Sequence, residues 1–139
     1  MNEESKMQKI KEWIETCPFL NNGKINVDYL EDDIDSYSID RTPSTPVIEV
    51  DILGGKIKQI TFDFTVQAPF SSQIIVNLAN SKFCEDFMDW IEGQNKNKKF
   101  PDIPGMQEIV CTSPGYDIQK TETTAIYIIQ MSCKYYEFA

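Results

Sequence analysis

Apolar and polar residues alternate most regularly between Val47 and Gln67, in two runs that flank Gly54-Gly55. In the first run Ile48, Val50 and Ile52 share a face. In the second, Ile60, Phe62, Phe64 and Val66 do, opposite Gln59, Thr61, Asp63, Thr65 and Gln67. A period of two around a glycine pair predicts a β-hairpin whose strands each bury one face. A further alternation runs from Ala125 to Tyr136, where Tyr127, Ile129, Met131, Cys133 and Tyr135 oppose Gln130, Ser132 and Lys134. Ile126 and Ile128 carry apolar character onto the second face. This predicts a long final strand. Shorter strands are expected at Ile25, Val27 and Tyr29 and over Gln107 to Thr112, with Ile109 and Cys111 on one side.

The spacing becomes helical in two places. Ile10, Trp13, Ile14 and Cys17 recur at i, i+3, i+4 and i+7, with Ser5 and Gln8 in a capping-box arrangement before them and Pro18 after. A helix from about Ser5 to Thr16 follows. Phe83, Phe87, Trp90 and Ile91 form the apolar stripe of the main helix. Gly93 and the polar run Gln94 to Lys99 are expected to end it, with Lys96, Lys98 and Lys99 near its negative C-terminal end. Ile74, Ile75 and Leu78 predict only a turn or two of helix before Asn80-Ser81. Ala68-Pro69-Phe70-Ser71 breaks the preceding strand, Thr42 to Pro46 and Phe100 to Gly105 are turn-rich connectors, and Ser113 to Thr124 is a polar loop. No internal repeat is visible. The predicted order is α, β, β, β, α, β, β. This is an α+β fold in a single domain over 1–139, with a largely antiparallel four- to five-stranded sheet and two main helices packed on one face.

Composition narrows the chemistry. The chain has 139 residues, 41% of them hydrophobic, so one core suffices without disulfides or a structural metal. No apolar run reaches membrane-spanning length and the first residues are polar, so a soluble intracellular protein with no membrane partner is expected. The formal net charge of −9 argues against a whole-protein grip on nucleic acid. Histidine is absent, which removes the usual proton shuttle, the commonest metal ligand and every His-activated nucleophile. Cys17, Cys84, Cys111 and Cys133 are scattered without a C-x-x-C pair and read as reduced, mostly buried thiols. Asp28, Asp63, Asp86 and Asp117 show no pairing suited to acid–base work. The acidic Glu31 to Asp35 segment lacks the glycine and terminal glutamate of an EF-hand loop, and Gly54-Gly55 lacks the rest of a phosphate-binding loop. No catalytic, cofactor-binding or metal residue is therefore assigned, and no cofactor is expected. Lys96, Lys98 and Lys99 form the one local basic spot. It is either a solvated helix end or a contact for an acidic neighbour, such as the Glu31 to Asp35 loop of another copy.

An ordered set of motifs over nearly the whole chain resembles the small minor capsid or tail-terminator-like proteins of tailed phages and prophages of Gram-positive bacteria. It includes Thr16-Cys17-Pro18, Lys24 to Asp28, Tyr37-Ser38-Ile39 with its downstream prolines, and the Gly54-Gly55 hairpin. It continues with Phe87-Met88-Asp89-Trp90-Ile91-Glu92-Gly93-Gln94-Asn95, Pro101 to Pro104, Gly115-Tyr116 and the final strand from Ala125. Lys58-Gln59 and Val66 to Phe70 depart from the family pattern. The resemblance implies a non-enzymatic structural protein that caps the head-proximal end of the tail tube and stops its growth. Its implied partners are itself in a hexameric ring, the tail tube protein and a neck or head-completion protein. It would be made in the bacterial host cytoplasm and kept in the virion or a phage-tail-like particle. DNA would be only passing cargo through an acidic bore.

A ring needs heterologous contacts between copies. The long irregular segments Asp35 to Pro46, Ala68 to Ser72 and Ser113 to Thr124, with the lysine spot, are the expected sources. The candidate assembly contacts are Asp35, Tyr37, Arg41, Pro69, Phe70, Lys96, Lys98, Lys99 and Tyr116. Other readings are a head-completion or neck connector protein, an acidic DNA-mimic or inhibitory interaction module, and a carboxylate-only hydrolase.

Overall fold

Two antiparallel strands of 14 residues each, β4 (Lys56–Pro69) and β7 (Thr124–Glu137), pair along their full length and form the spine of the protein. The computed structural model describes residues 5–20, 25–27, 30, 36–70 and 73–138. On the outer side of β4 lie β2 (Ser36–Thr42) and β3 (Val47–Val50), both antiparallel to it and separated by the Pro43 to Pro46 connector. On the outer side of β7, β5 (Met106–Cys111) and β6 (Tyr116–Lys120) repeat that arrangement across a break at Pro114. Proline fixes its own φ and donates no ladder hydrogen bond, so each flanking strand is interrupted where a proline falls. A three-residue strand, β1 (Ile25–Val27), adds to β2 in parallel, and the seven strands form one sheet.

Helices α1 (Lys6–Ile14) and α2 (Ile74–Lys96) lie on the same face of this sheet, giving an α+β fold. Ser5 caps α1 by accepting from the Gln8 backbone N–H at 3.1 Å, and Met7, Ile10, Trp13 and Ile14 are its buried stripe. From α2, Phe87 stacks on Phe64 of β4 with ring centroids 4.4 Å apart, and Phe83 stacks on Tyr37 of β2. Trp13 meets Trp90 at 5.0 Å and donates its indole N–H to the Lys99 carbonyl, which ties the two helices together. Ile60, Phe62, Phe64 and Val66 face inward opposite Cys133, Met131, Ile129 and Tyr127, as their alternation predicts.

Several elements differ from the sequence reading. The sheet has seven strands rather than four or five. The Asp35 to Pro46 connector becomes β2 from Ser36, and half of the 113–124 loop becomes β6. Small hydroxyl residues alternate with Tyr37 and Ile39 in β2, so the ladder is there but its apolar signal is short. The apolar turn at Ile74 and the main helix are a single 23-residue helix. Gly93 does not end it: the backbone turns only at Lys98, at φ 55°, where the Lys99 N–H bonds back to the Gln94 carbonyl.

The fold also contains a repetition not visible in the sequence. Helix, two short flanking strands and a long strand occur twice. The helices start at positions 6 and 74 and the long strands at 56 and 124, in each case 68 positions apart. The halves differ in how the outermost edge is closed. In the first, β1 covers β2. In the second, the Asn95 side chain covers β5: its amide donates to the Ile109 carbonyl and accepts from the Ile109 N–H at 2.8 Å. One side chain thus imitates a neighbouring strand, which blunts an edge that would otherwise be open to pairing.

Candidate assembly surface

At the β3–β4 turn the sequence places Ile52 and Leu53, where turns ordinarily carry polar residues. Both are solvent-exposed, Ile52 at 101% and Leu53 at 83% of their reference areas. The turn beneath them is tightly built. The Asp51 carboxylate accepts from the N–H groups of Leu53 and Gly55, each at 2.9 Å, and the Asp51 N–H donates to the Gly55 carbonyl at 2.8 Å. The other carboxylate oxygen of Asp51 accepts from the Tyr136 hydroxyl at the end of β7. This bond, followed by those from the backbone, holds the Asp51 carboxyl below the usual carboxylate range, and the same pairing raises the Tyr136 phenol. A Cβ at Gly55 would overlap the Tyr136 hydroxyl, so a side chain there would push Tyr136 away from Asp51. Phe138, also exposed, meets Tyr136 edge-on at 4.8 Å. The result is an apolar knob of Ile52 and Leu53 at one end of the spine, with Ile48 and Val50 also exposed on β3.

This overturns the expectation that Ile48, Val50 and Ile52 form a buried strand face, because no helix reaches this corner of the sheet. The missed signal was the Ile-Leu pair inside the turn itself.

The opposite end of the spine carries a cavity of about 220 Å³ between α2 and the sheet. Tyr37, Val66, Ala68, Phe83, Cys84 and Tyr127 line most of it. Asn80 closes one side by donating to the Pro69 carbonyl at 2.6 Å. Gly115 approaches so near that a Cβ would sit 2.6 Å from the Cys84 sulfur.

The residues expected at the surface divide accordingly. Pro69 and Phe70 lie at the cavity end, where Lys120 lies over the Phe70 ring at 5.4 Å, whereas Tyr116, 39% exposed, pairs with Ile128 four residues further along β7 and its hydroxyl accepts from Gln130. Arg41 is exposed on β2, away from them, and Lys96, Lys98 and Lys99 are exposed at the C-terminal end of α2 beside α1. Tyr37 is corrected: it is a core ring, 1% exposed, stacked between Phe64 and Phe83. Its place in the alternation of β2 points it at α2. Asp35 and the acidic 31–35 loop lie outside the described residues.

The face of the sheet away from the helices mixes polar side chains with half-buried Ile57, Ile126 and Ile128. Asp40 and Asp63 stand directly opposite each other there, and Asp40 accepts from Ser38 and Thr65 hydroxyls, both at 3.1 Å. Burial first, then the Asp40 charge, raises the Asp63 carboxyl above its ordinary range. Among the described residues, no group of three or more Cys, Asp or Glu side chains is placed to hold a metal ion, and no helix is long and apolar enough to cross a membrane. All four cysteines are free. Cys17, Cys84 and Cys133 are buried and Cys111 is half-buried. Burial pushes the thiols of Cys84 and Cys133 up to about 11 and that of Cys111 to about 12, which removes thiolate character at neutral pH. No family model and no curated protein sequence matches this chain.

Proposed function

We propose that this protein is a structural assembly subunit, a phage tail terminator that caps the head-proximal end of a tail tube as a ring and presents a joining surface to the neck. The observation that carries the reading is the rigid apolar knob. A protein that works alone gains nothing from holding two aliphatic side chains out in water on a pinned turn, whereas an assembly subunit gains a contact whose backbone loses little entropy on binding. The motif resemblance supplies the biological setting. The buried, protonated thiols and the lack of histidine favour shape over bond-making as the output. Net charge −9 per copy, with Asp40 and Asp63 on the helix-free face, suits a bore past which DNA slides without adhering.

The test is to incubate the purified protein with tail tubes and image them by negative stain. A ring at one end of each tube is expected. Absence from tubes, with binding instead to portal-bearing heads, would overturn the terminator role in favour of a head-completion protein.

A further inference from the structure

We infer that copies of this chain join head to tail by inserting the Ile52-Leu53 knob of one subunit into the cavity between α2 and the sheet of the next. This rests on the ring reading above and names the surfaces that would build it. Three observations carry it. First, knob and cavity sit at opposite ends of one rigid 14-residue strand pair, roughly 40 Å apart at about 3.3 Å per residue. They cannot meet within a subunit, and a patch that meets a different patch on its neighbour is the heterologous contact a closed ring requires.

Second, the sizes agree. A cavity of about 150 Å³ accepts a benzene molecule, so 220 Å³ holds one branched aliphatic side chain with its terminal methyls. Third, Ile52 and Leu53 stand in solvent at 101% and 83% of their reference areas, so nearly the whole apolar surface of both is open to burial against a neighbour. The Asp51 and Tyr136 hydrogen bonds pin the turn backbone that carries the knob, and Tyr37, Val66 and Ala68, each under 10% exposed, give the socket firm walls.

Cys84 on the socket wall provides a direct readout. In Leu53→Cys protein, held at high concentration or on tail tubes and oxidised with copper–phenanthroline, the introduced thiol should form a disulfide with Cys84 of the next copy. On a non-reducing gel this gives a ladder that extends past the dimer, and peptide mapping identifies the 53–84 link. Leu53→Cys combined with Cys84→Ser should lose the ladder. Leu53→Asp, at an exposed site, should keep the native circular dichroism and melting temperature while self-association falls at least tenfold. A disulfide between two introduced thiols that stops at the dimer would overturn the inference, as would rings that form with no 53–84 link. The latter result leaves the ring reading standing. If wild-type protein forms no assembly either alone or on tubes, both fall together.

Discussion

Asn95 offers the most direct check on how the sheet is closed. Its side chain satisfies both outward-facing backbone groups of Ile109 and also donates to the Ile91 carbonyl at 2.9 Å. Replacing it, Asn95→Ala, leaves the Ile109 N–H and carbonyl unpartnered beside α2, where the Ile109 side chain is fully buried. Two lost hydrogen bonds at ~1 kcal/mol each, plus the desolvation left uncompensated, give a destabilisation of about 2–4 kcal/mol. For a chain of this size that lowers the melting temperature by roughly 6–15 °C. Urea unfolding followed by circular dichroism measures the free energy, and hydrogen exchange measures the Ile109 amide directly. Its exchange should accelerate by at least tenfold while amides in the centre of β4 follow only the global change. A loss below 0.5 kcal/mol with Ile109 protection unchanged would refute the claim that one side chain stands in for a strand.

Further outcomes follow from other sites. Gly105 adopts φ +79° and a Cβ there would run into the Tyr136 carbonyl, so Gly105→Ala should cost about 2–4 kcal/mol in urea unfolding. Asp63 has a folded-state pKa above its ordinary value, so at neutral pH its ionised form opposes folding, and that opposition disappears as pH falls through the raised pKa. Asp63→Asn should therefore melt higher than wild type at pH 7, with the gap closing towards pH 4; an equal gap at both pH values would contradict this. Because burial holds the thiols protonated, Ellman's reagent at pH 8 should label Cys84, Cys111 and Cys133 at least tenfold more slowly in native protein than in urea.

The two long strands and both helices are legible in the sequence because their apolar spacings are long and uninterrupted. Ile60 to Val66 and Tyr127 to Tyr135 alternate through at least four apolar positions, and Phe83 to Ile91 holds a helical stripe over two turns. The flanking strands were harder to see because prolines cut each into pieces too short to show a period, and β6 is exposed along its whole length. α2 ends within the polar run Gln94 to Lys99, as that run indicates, but three residues past Gly93. The Asn95 side chain reaches β5, 14 residues downstream, from inside this last turn. The candidate surface was partly legible. Pro69 and Phe70 lie side by side at the end of β4 while Tyr116 sits apart on β6, and Tyr37 reads as a loop residue until pairing with β4 turns it inward. The knob was hidden for the opposite reason: Ile48, Val50 and Ile52 alternate as a buried strand would, and only the geometry shows that nothing covers them.

Tube length is the quantity that a terminator controls, and it gives the most direct measurement. Tail tube protein polymerised in vitro and imaged by electron microscopy should yield tubes that stop growing when this protein is added, each bearing one ring at the capped end, with Leu53→Asp protein failing to stop them. Tubes that continue to elongate at the same rate in the presence of saturating wild-type protein, with no density at their ends, would contradict the account.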